Sequence, residues 1–164
     1  MKIFLARDAG YCFGVRDAVN LAYDTAEAHG EVYMLGTIVH NERVIENLSN
    51  AGSKVVETLD DVPEDKPILF RAHGTAPELW KKADKKKLNL VDATCPLVTE
   101  IHDEIKKLEE EGRRTIIIGD HGHDEVVAIA AQVSNPIIIA NVDEAKTLRK
   151  MKKAGVVSQS TQMI

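Results

Sequence analysis

From residue 2 to residue 158 the sequence alternates short runs rich in β-branched and aliphatic residues with longer stretches of helical periodicity, and few folds accept that alternation. Lys2 to Ala6, Val32 to Leu35, Lys54 to Val56, Ile68 to Arg71, Leu88 to Val91, Thr115 to Ile118, Ile137 to Ala140 and Val156 to Ser158 read as strands. Between them, Val15, Ala18, Val19, Ala22 and Ala26 recur at helical spacing up to Gly30. Asn41 to Asn50, the stretch opened by Pro77 and Glu78, Asp124 to Val133 and Asp143 to Met151 read the same way. After Pro96, the apolar stripe Leu97, Ile101, Ile105 and Leu108 predicts an amphipathic helix with proline in its first turn, leaving His102 on the solvated side. Strand and helix in regular succession imply an α/β fold of mainly parallel sheet flanked by helices. At 164 residues the chain fits one compact domain or two small ones. With no flexible linker to mark a boundary, the second cysteine is the natural hinge between two lobes, roughly residues 1–95 and 96–164.

Acidic and basic residues are interspersed and sum to −5, so no basic tract recommends a nucleic-acid or anionic-membrane partner. The apolar runs last only a few residues, against the roughly 20 that a helical membrane span needs. Ile3 to Ala6, followed by Arg7 and Asp8, is shorter than the roughly 7 to 15 residues of a signal-peptide core, and a cytoplasmic location is expected. In such a chain two cysteines do not make a disulfide scaffold.

Chemistry concentrates just after the strands, where open α/β sheets bind ligands. Leu35 and Gly36 lead to His40-Asn41; Phe70-Arg71-Ala72 leads to His73-Gly74-Thr75; Val91 leads to Thr94-Cys95. Ile118-Gly119-Asp120 leads to His121-Gly122-His123-Asp124-Glu125, and Val157 leads to Ser158-Gln159-Ser160-Thr161. One such histidine is more often a cap or loop residue than a ligand. His40, His73 and His123 together, equivalent in topology though far apart in sequence, are candidates to donate to phosphate oxygens, ligate a metal or move a proton. His29 at a helix end reads as structural, and His121 shares a turn with His123, so both cannot easily point inward.

Free cysteines are usually buried and inert. Cys12 and Cys95, however, each stand between a predicted strand and a helix start, where the helix dipole and free N–H groups favour a thiolate able to bind soft metals or iron–sulfur clusters. Glu125 is either a carboxylate set for proton transfer or one that simply favours a helix N-terminus. No compact ligand spacing such as Cys-x-x-Cys or His-Glu-x-x-His is present, which counts against a zinc site or hydrolase built from the same residues.

Gly10 to Val19 (GYCFGVRDAV), Val39 to Asn41 (VHN), Ala72 to Gly74 (AHG), Asp92 to Val98 (DATCPLV), Gly122 to Val126 (GHDEV), Ser134 to Pro136 (SNP) and Ser158 to Thr161 (SQST) occur in one order. In these motifs the sequence closely resembles the hydroxymethylbutenyl diphosphate reductase family (IspH, formerly LytB). The resemblance implies an oxygen-sensitive 4Fe–4S cluster held by three cysteines and a reductive loss of hydroxyl that yields isopentenyl and dimethylallyl diphosphates in the non-mevalonate route to isoprenoids. By motif, Cys12 and Cys95 would be two cluster ligands. His40, His73 and His123, with Ser160 and Thr161, would bind the allylic diphosphate substrate. Glu125 would deliver protons, oriented by the Ser160 hydroxyl, and ferredoxin or flavodoxin would donate electrons.

Three departures accompany the resemblance. Asp124 stands where the family usually has proline. Ser160 stands in a motif usually rich in threonine. The family's third lobe and third cysteine have no counterpart, so the expectation is an N-terminal portion that is inactive by itself. The competing reading is an α/β module that binds a diphosphate without redox chemistry. A downstream reading frame carrying a further cysteine would separate the two.

Overall fold

A computed structural model describes residues 1–7 and 10–162. Among the described residues, seven strands form two separate parallel sheets. The first contains β1 (Val32–Leu35), β2 (Ser53–Val56), β3 (Pro67–Phe70) and β4 (Asn89–Asp92) in the order β2-β1-β3-β4. The second contains β5 (Arg114–Ile118), β6 (Ile137–Ile139) and β7 (Ala154–Ser158) in the order β6-β5-β7. Six helices connect them: α1 (Phe13–His29), α2 (Glu42–Asn50), α3 (Pro77–Lys85), α4 (Pro96–Glu110), α5 (Asp124–Ala130) and α6 (Val142–Thr147). The fold class expected from the alternation is the fold observed.

Strands buried on both faces explain the near-continuous apolar runs. In β1, Val32 and Met34 face α1 and α2, joining Ala18, Ala22, Val44 and Leu48, whereas Tyr33 faces the other way. β3 alternates likewise: Leu69 enters the first cluster, while Ile68 and Phe70 pack with Leu59, Val62 and Ala83. Each fully buried large side chain of this kind contributes roughly 1.5–3 kcal/mol. The small residues Ala18, Ala22 and Ala26 bring α1 close to its sheet, and Gly30 stops the helix in the left-handed conformation at φ 71°. Asn41 caps α2 by accepting from the Val44 N–H.

The chain passes from one sheet to the other through α4, which leaves β4 of the first sheet and packs on β5 and β7 of the second. This corrects the reading of His102, which is buried rather than solvated, at 8% exposure. Ile105, flanked by Ile101 and Leu108, faces the core of the second sheet. Val98 and His102, offset around the helix, lie against Gly74 in the loop after β3, so a helix between two sheets buries a wider face than a single apolar stripe announces.

A second correction concerns Lys2 to Ala6, which has no strand partner. Ile3, Phe4 and Leu5 are exposed and irregular, because β-propensity makes a strand only where an edge accepts its hydrogen bonds. Cys12 therefore follows no strand among the described residues. The expected helices Asp124 to Val133 and Asp143 to Met151 are shorter, ending at Ala130 and Thr147. Asp8, one of the residues used to exclude a signal-peptide core, lies outside the described residues. Among the described residues no helix is long and apolar enough to cross a membrane.

Candidate active site

In each sheet the first strand has neighbours on both sides, and the chain reverses its direction of progress between β1 and β3 and between β5 and β7. Such switch points splay the following loops apart and open a crevice at the carboxyl edge. The four loops that leave these four strands carry His40, Arg71 with His73, His123 to Glu125, and Gln159 to Thr161.

The three predicted histidines meet. The His40 and His73 rings are tilted at 33° with centroids 4.6 Å apart, and His123 meets them edge-on at 5.6 and 5.8 Å. His40 is exposed and the other two are half-buried. Burial above all, with the neighbouring His40 next, pushes His73 from the ordinary imidazole value down to about 4; it is neutral at pH 7, and its Nδ1 is buried without a hydrogen-bond partner. His123 caps α5, its Nδ1 accepting from the Glu125 N–H at 3.2 Å. With Nδ1 accepting, Nε2 is the ring nitrogen of His123 that can donate.

Glu125, 2% exposed, lies behind the histidine turn. Its Oε1 accepts from the Ser160 N–H at 2.6 Å and its Oε2 from the Ser160 hydroxyl at 2.9 Å, which joins α5 to the loop after β7. Thr161 does not share that contact: its Oγ1 accepts from Gln159 Nε2 at 2.8 Å, while Gln159 Oε1 accepts from the Asp120 N–H. Buried Gln159 thus ties together the two loops that present Glu125 and Ser160.

The cysteines occupy matching positions. Cys12 is the N-cap residue of α1 and Cys95 that of α4, and neither caps with its side chain. Both are free thiols, Cys12 exposed and Cys95 half-buried. The Cys95 N–H donates to the Ala72 carbonyl at 3.0 Å, fixing it beside the His73 turn. Gly14 in the first turn of α1 lies so close that a Cβ there would stand 2.5 Å from Cys95 Sγ.

Sequence reasoning singled out neither Arg71 nor Asp124 as a site residue. The Arg71 guanidinium donates to Asp124 Oδ2 at 2.8 Å, linking the β3 loop to the start of α5. The available signal was a new charge, Asp124, in a histidine turn; its partner is visible only in three dimensions. His121 points away to Glu144, and His29 lies in the last turn of α1.

A family model described as LytB protein matches residues 3–164. The 4-hydroxy-3-methylbut-2-enyl diphosphate reductase of Geobacter metallireducens is 39% identical over 163 residues, covering 99% of this chain and 57% of that protein. The enzyme of the same name from Anaplasma marginale is 37% identical, over 98% and 49%. The solved E-1-hydroxy-2-methyl-but-2-enyl-4-diphosphate reductase of Plasmodium falciparum superposes with a TM-score of 0.90 at 31% identity, covering 95% of this chain and 50% of that one. A second solved reductase, described as the terminal enzyme of the non-mevalonate pathway, gives 0.86 at 31% identity, with 98% of this chain and 59% of that one covered. The chain therefore spans about half the length of the relatives it matches.

Proposed function

The chain belongs to the LytB protein family, and from that premise we propose that it is the N-terminal part of an iron–sulfur reductase converting 4-hydroxy-3-methylbut-2-enyl diphosphate to isopentenyl and dimethylallyl diphosphates. The observation that carries the reading is the meeting of three histidine rings from the loops after β1, β3 and β5, with Glu125 buried in the first turn of α5 and Cys95 tied by its N–H to Ala72 beside the His73 turn. The division into lobes 1–95 and 96–164 belongs to the same proposal, with substrate held between them.

Ring nitrogens of His123 and His40 and of the neutral His73 are donors for the diphosphate oxygens through directed hydrogen bonds. Glu125, held at both oxygens by Ser160, is fixed in place to relay a proton to the leaving hydroxyl; Ser160 positions it. Thr161 supports that loop through Gln159.

Cys12 and Cys95 fit two ligand places of a 4Fe–4S cluster: both are free thiols at helix N-termini, where N–H groups stabilise thiolate, and Gly14 leaves Cys95 Sγ unobstructed. Bound there, the cluster supplies electrons and a Lewis-acidic iron. The third thiolate that the resemblance implies has no counterpart in the two cysteines of this sequence, and the electron donor is expected to be ferredoxin or flavodoxin.

The test is anaerobic purification of the full-length protein carrying this sequence, with iron, sulfide and turnover measured for the parent, Cys12→Ala and Cys95→Ala. The expected parent is brown and active, and each variant loses iron and turnover together. A colourless, iron-free parent that still binds the diphosphate would establish the non-redox binding module instead.

A further inference from the structure

We propose that the amino edge of the second sheet carries a binding site for a phosphate ester with an apolar tail, at the opposite edge from the histidines. Arg114 opens β5, Ile137 opens β6, and Lys153 stands immediately before β7. Because the three strands are parallel, these starts share one edge. The five residues of β5, rising roughly 3.3 Å each, set that edge on the order of 13 Å from the one that the His123 turn leaves.

An open hollow of about 660 Å³ lies there, a size that falls among small-ligand pockets. Ile137, Leu148 and Met151, all partly buried, give it an aliphatic lining, and Arg114, Arg149, Lys152 and Lys153 line it as exposed cations. No carboxylate and no aromatic ring lines it. Among the described residues none of these four cations is engaged in an ion pair.

The segment after α6 supplies most of the site. That helix stops at Thr147 although no glycine or proline occurs from Leu148 to Lys153, and Leu148 turns to extended backbone at φ −65° and ψ 131°. A continued helix would spread these residues around its axis. The irregular path instead gathers two aliphatic side chains and three cations around one hollow. Cations alone would be a solvated face; with a concave aliphatic lining between them, they fit a ligand that has both an anionic head and an apolar tail. Four neighbouring positive charges favour a phosphate over a singly charged carboxylate. Without a ring on which a base could stack, a nucleotide fits less well.

This site is independent of the reductase reading and stands or falls apart from it. The experiment titrates the full-length protein carrying this sequence with decyl phosphate by calorimetry, below its micelle concentration, and with butyl phosphate and inorganic phosphate as shorter probes. Saturable binding of decyl phosphate is expected and should persist in His40→Ala. Affinity should rise by about a hundredfold or more from inorganic phosphate to the decyl ester as the tail is buried. Arg149→Ala and Lys153→Ala, both at exposed side chains and verified as folded by circular dichroism, should each weaken decyl phosphate by about tenfold. The absence of saturable binding, an affinity indifferent to tail length, or binding unchanged in both variants overturns the proposal. Binding lost in His40→Ala assigns the ester to the histidine edge and overturns it too. Capture by phosphatidic acid vesicles without saturable binding of the soluble ester makes this a membrane-facing surface, which overturns it equally.

Discussion

Gly14 and Cys95 are in contact: the α1 backbone comes so near the Cys95 thiol that a single added methyl group would stand 2.5 Å from Sγ and 3.2 Å from Cβ. The two residues belong to different halves of the chain, and each lies at the start of a helix capped by one of the cysteines. The glycine therefore governs where one thiol can point while sitting two residues from the other.

Gly14→Ala is expected to separate folding from metal chemistry. Alanine gains about 1 kcal/mol over glycine in a helix, which offsets the cost of rotating one small side chain, so stability should change by less than about 1 kcal/mol. Cys95 Sγ must nevertheless move, and iron content of the anaerobically purified full-length protein should fall severalfold. Urea unfolding and iron assay together check this; unaltered iron loading contradicts it.

Ser160 and Glu125 form the second tested pair. Ser160→Ala removes the hydroxyl bond to Oε2 and leaves only the backbone bond to a buried carboxylate, so a loss of about 1–3 kcal/mol is expected by chemical denaturation. Glu125→Gln keeps the shape and can still bond Ser160, so folding and diphosphate binding should persist. The amide cannot relay a proton, and turnover in the full-length enzyme should drop by about a hundredfold or more. Unchanged turnover would remove Glu125 from proton delivery.

His102 carries a pH dependence. Burial, followed by the nearby Lys106 charge, lowers its pKa from 6.5, against smaller opposing effects of Asp103 and Asp92, and its Nε2 is buried without a partner. The unfolded chain therefore binds a proton before the native one does. Stability from this group is full above pH 6.5 and declines as the pH falls below it toward the depressed native value. His73 is shifted in the same direction, so His102→Leu should shallow the acid limb of a stability–pH curve without abolishing it. An identical limb in the variant would show that His102 does not contribute.

Arg71 and Asp124, both largely covered, join the loop after β3 of the first sheet to α5, which follows β5 of the second. A double-mutant cycle with Arg71→Ala and Asp124→Ala should give a coupling of about 1 kcal/mol, at the upper end for pairs that still touch solvent, and it should diminish in high salt. A coupling of zero would mean that the β3 loop and α5 are held together without it.

The sequence by itself determined the α/β class, the order of the seven strands that form, most helix starts and stops through Gly30, Asn41 and Pro96, and the placement of histidines just after strands. These are legible because hydrophobic period and capping chemistry are local. Strand pairing is not local, so Lys2 to Ala6 has the composition of a strand without an edge to complete it. His102 lies on a face that becomes interior only because α4 bridges two sheets, with Gly74, at φ 86°, bringing its backbone against the ring. Only the tertiary structure decided that His40 and His73 meet, that Glu125 meets Ser160, and that Asp124 finds Arg71. The first two contacts cross a switch point within one sheet and the third joins loops of the two sheets, and no pattern along the chain specifies which loops will face one another.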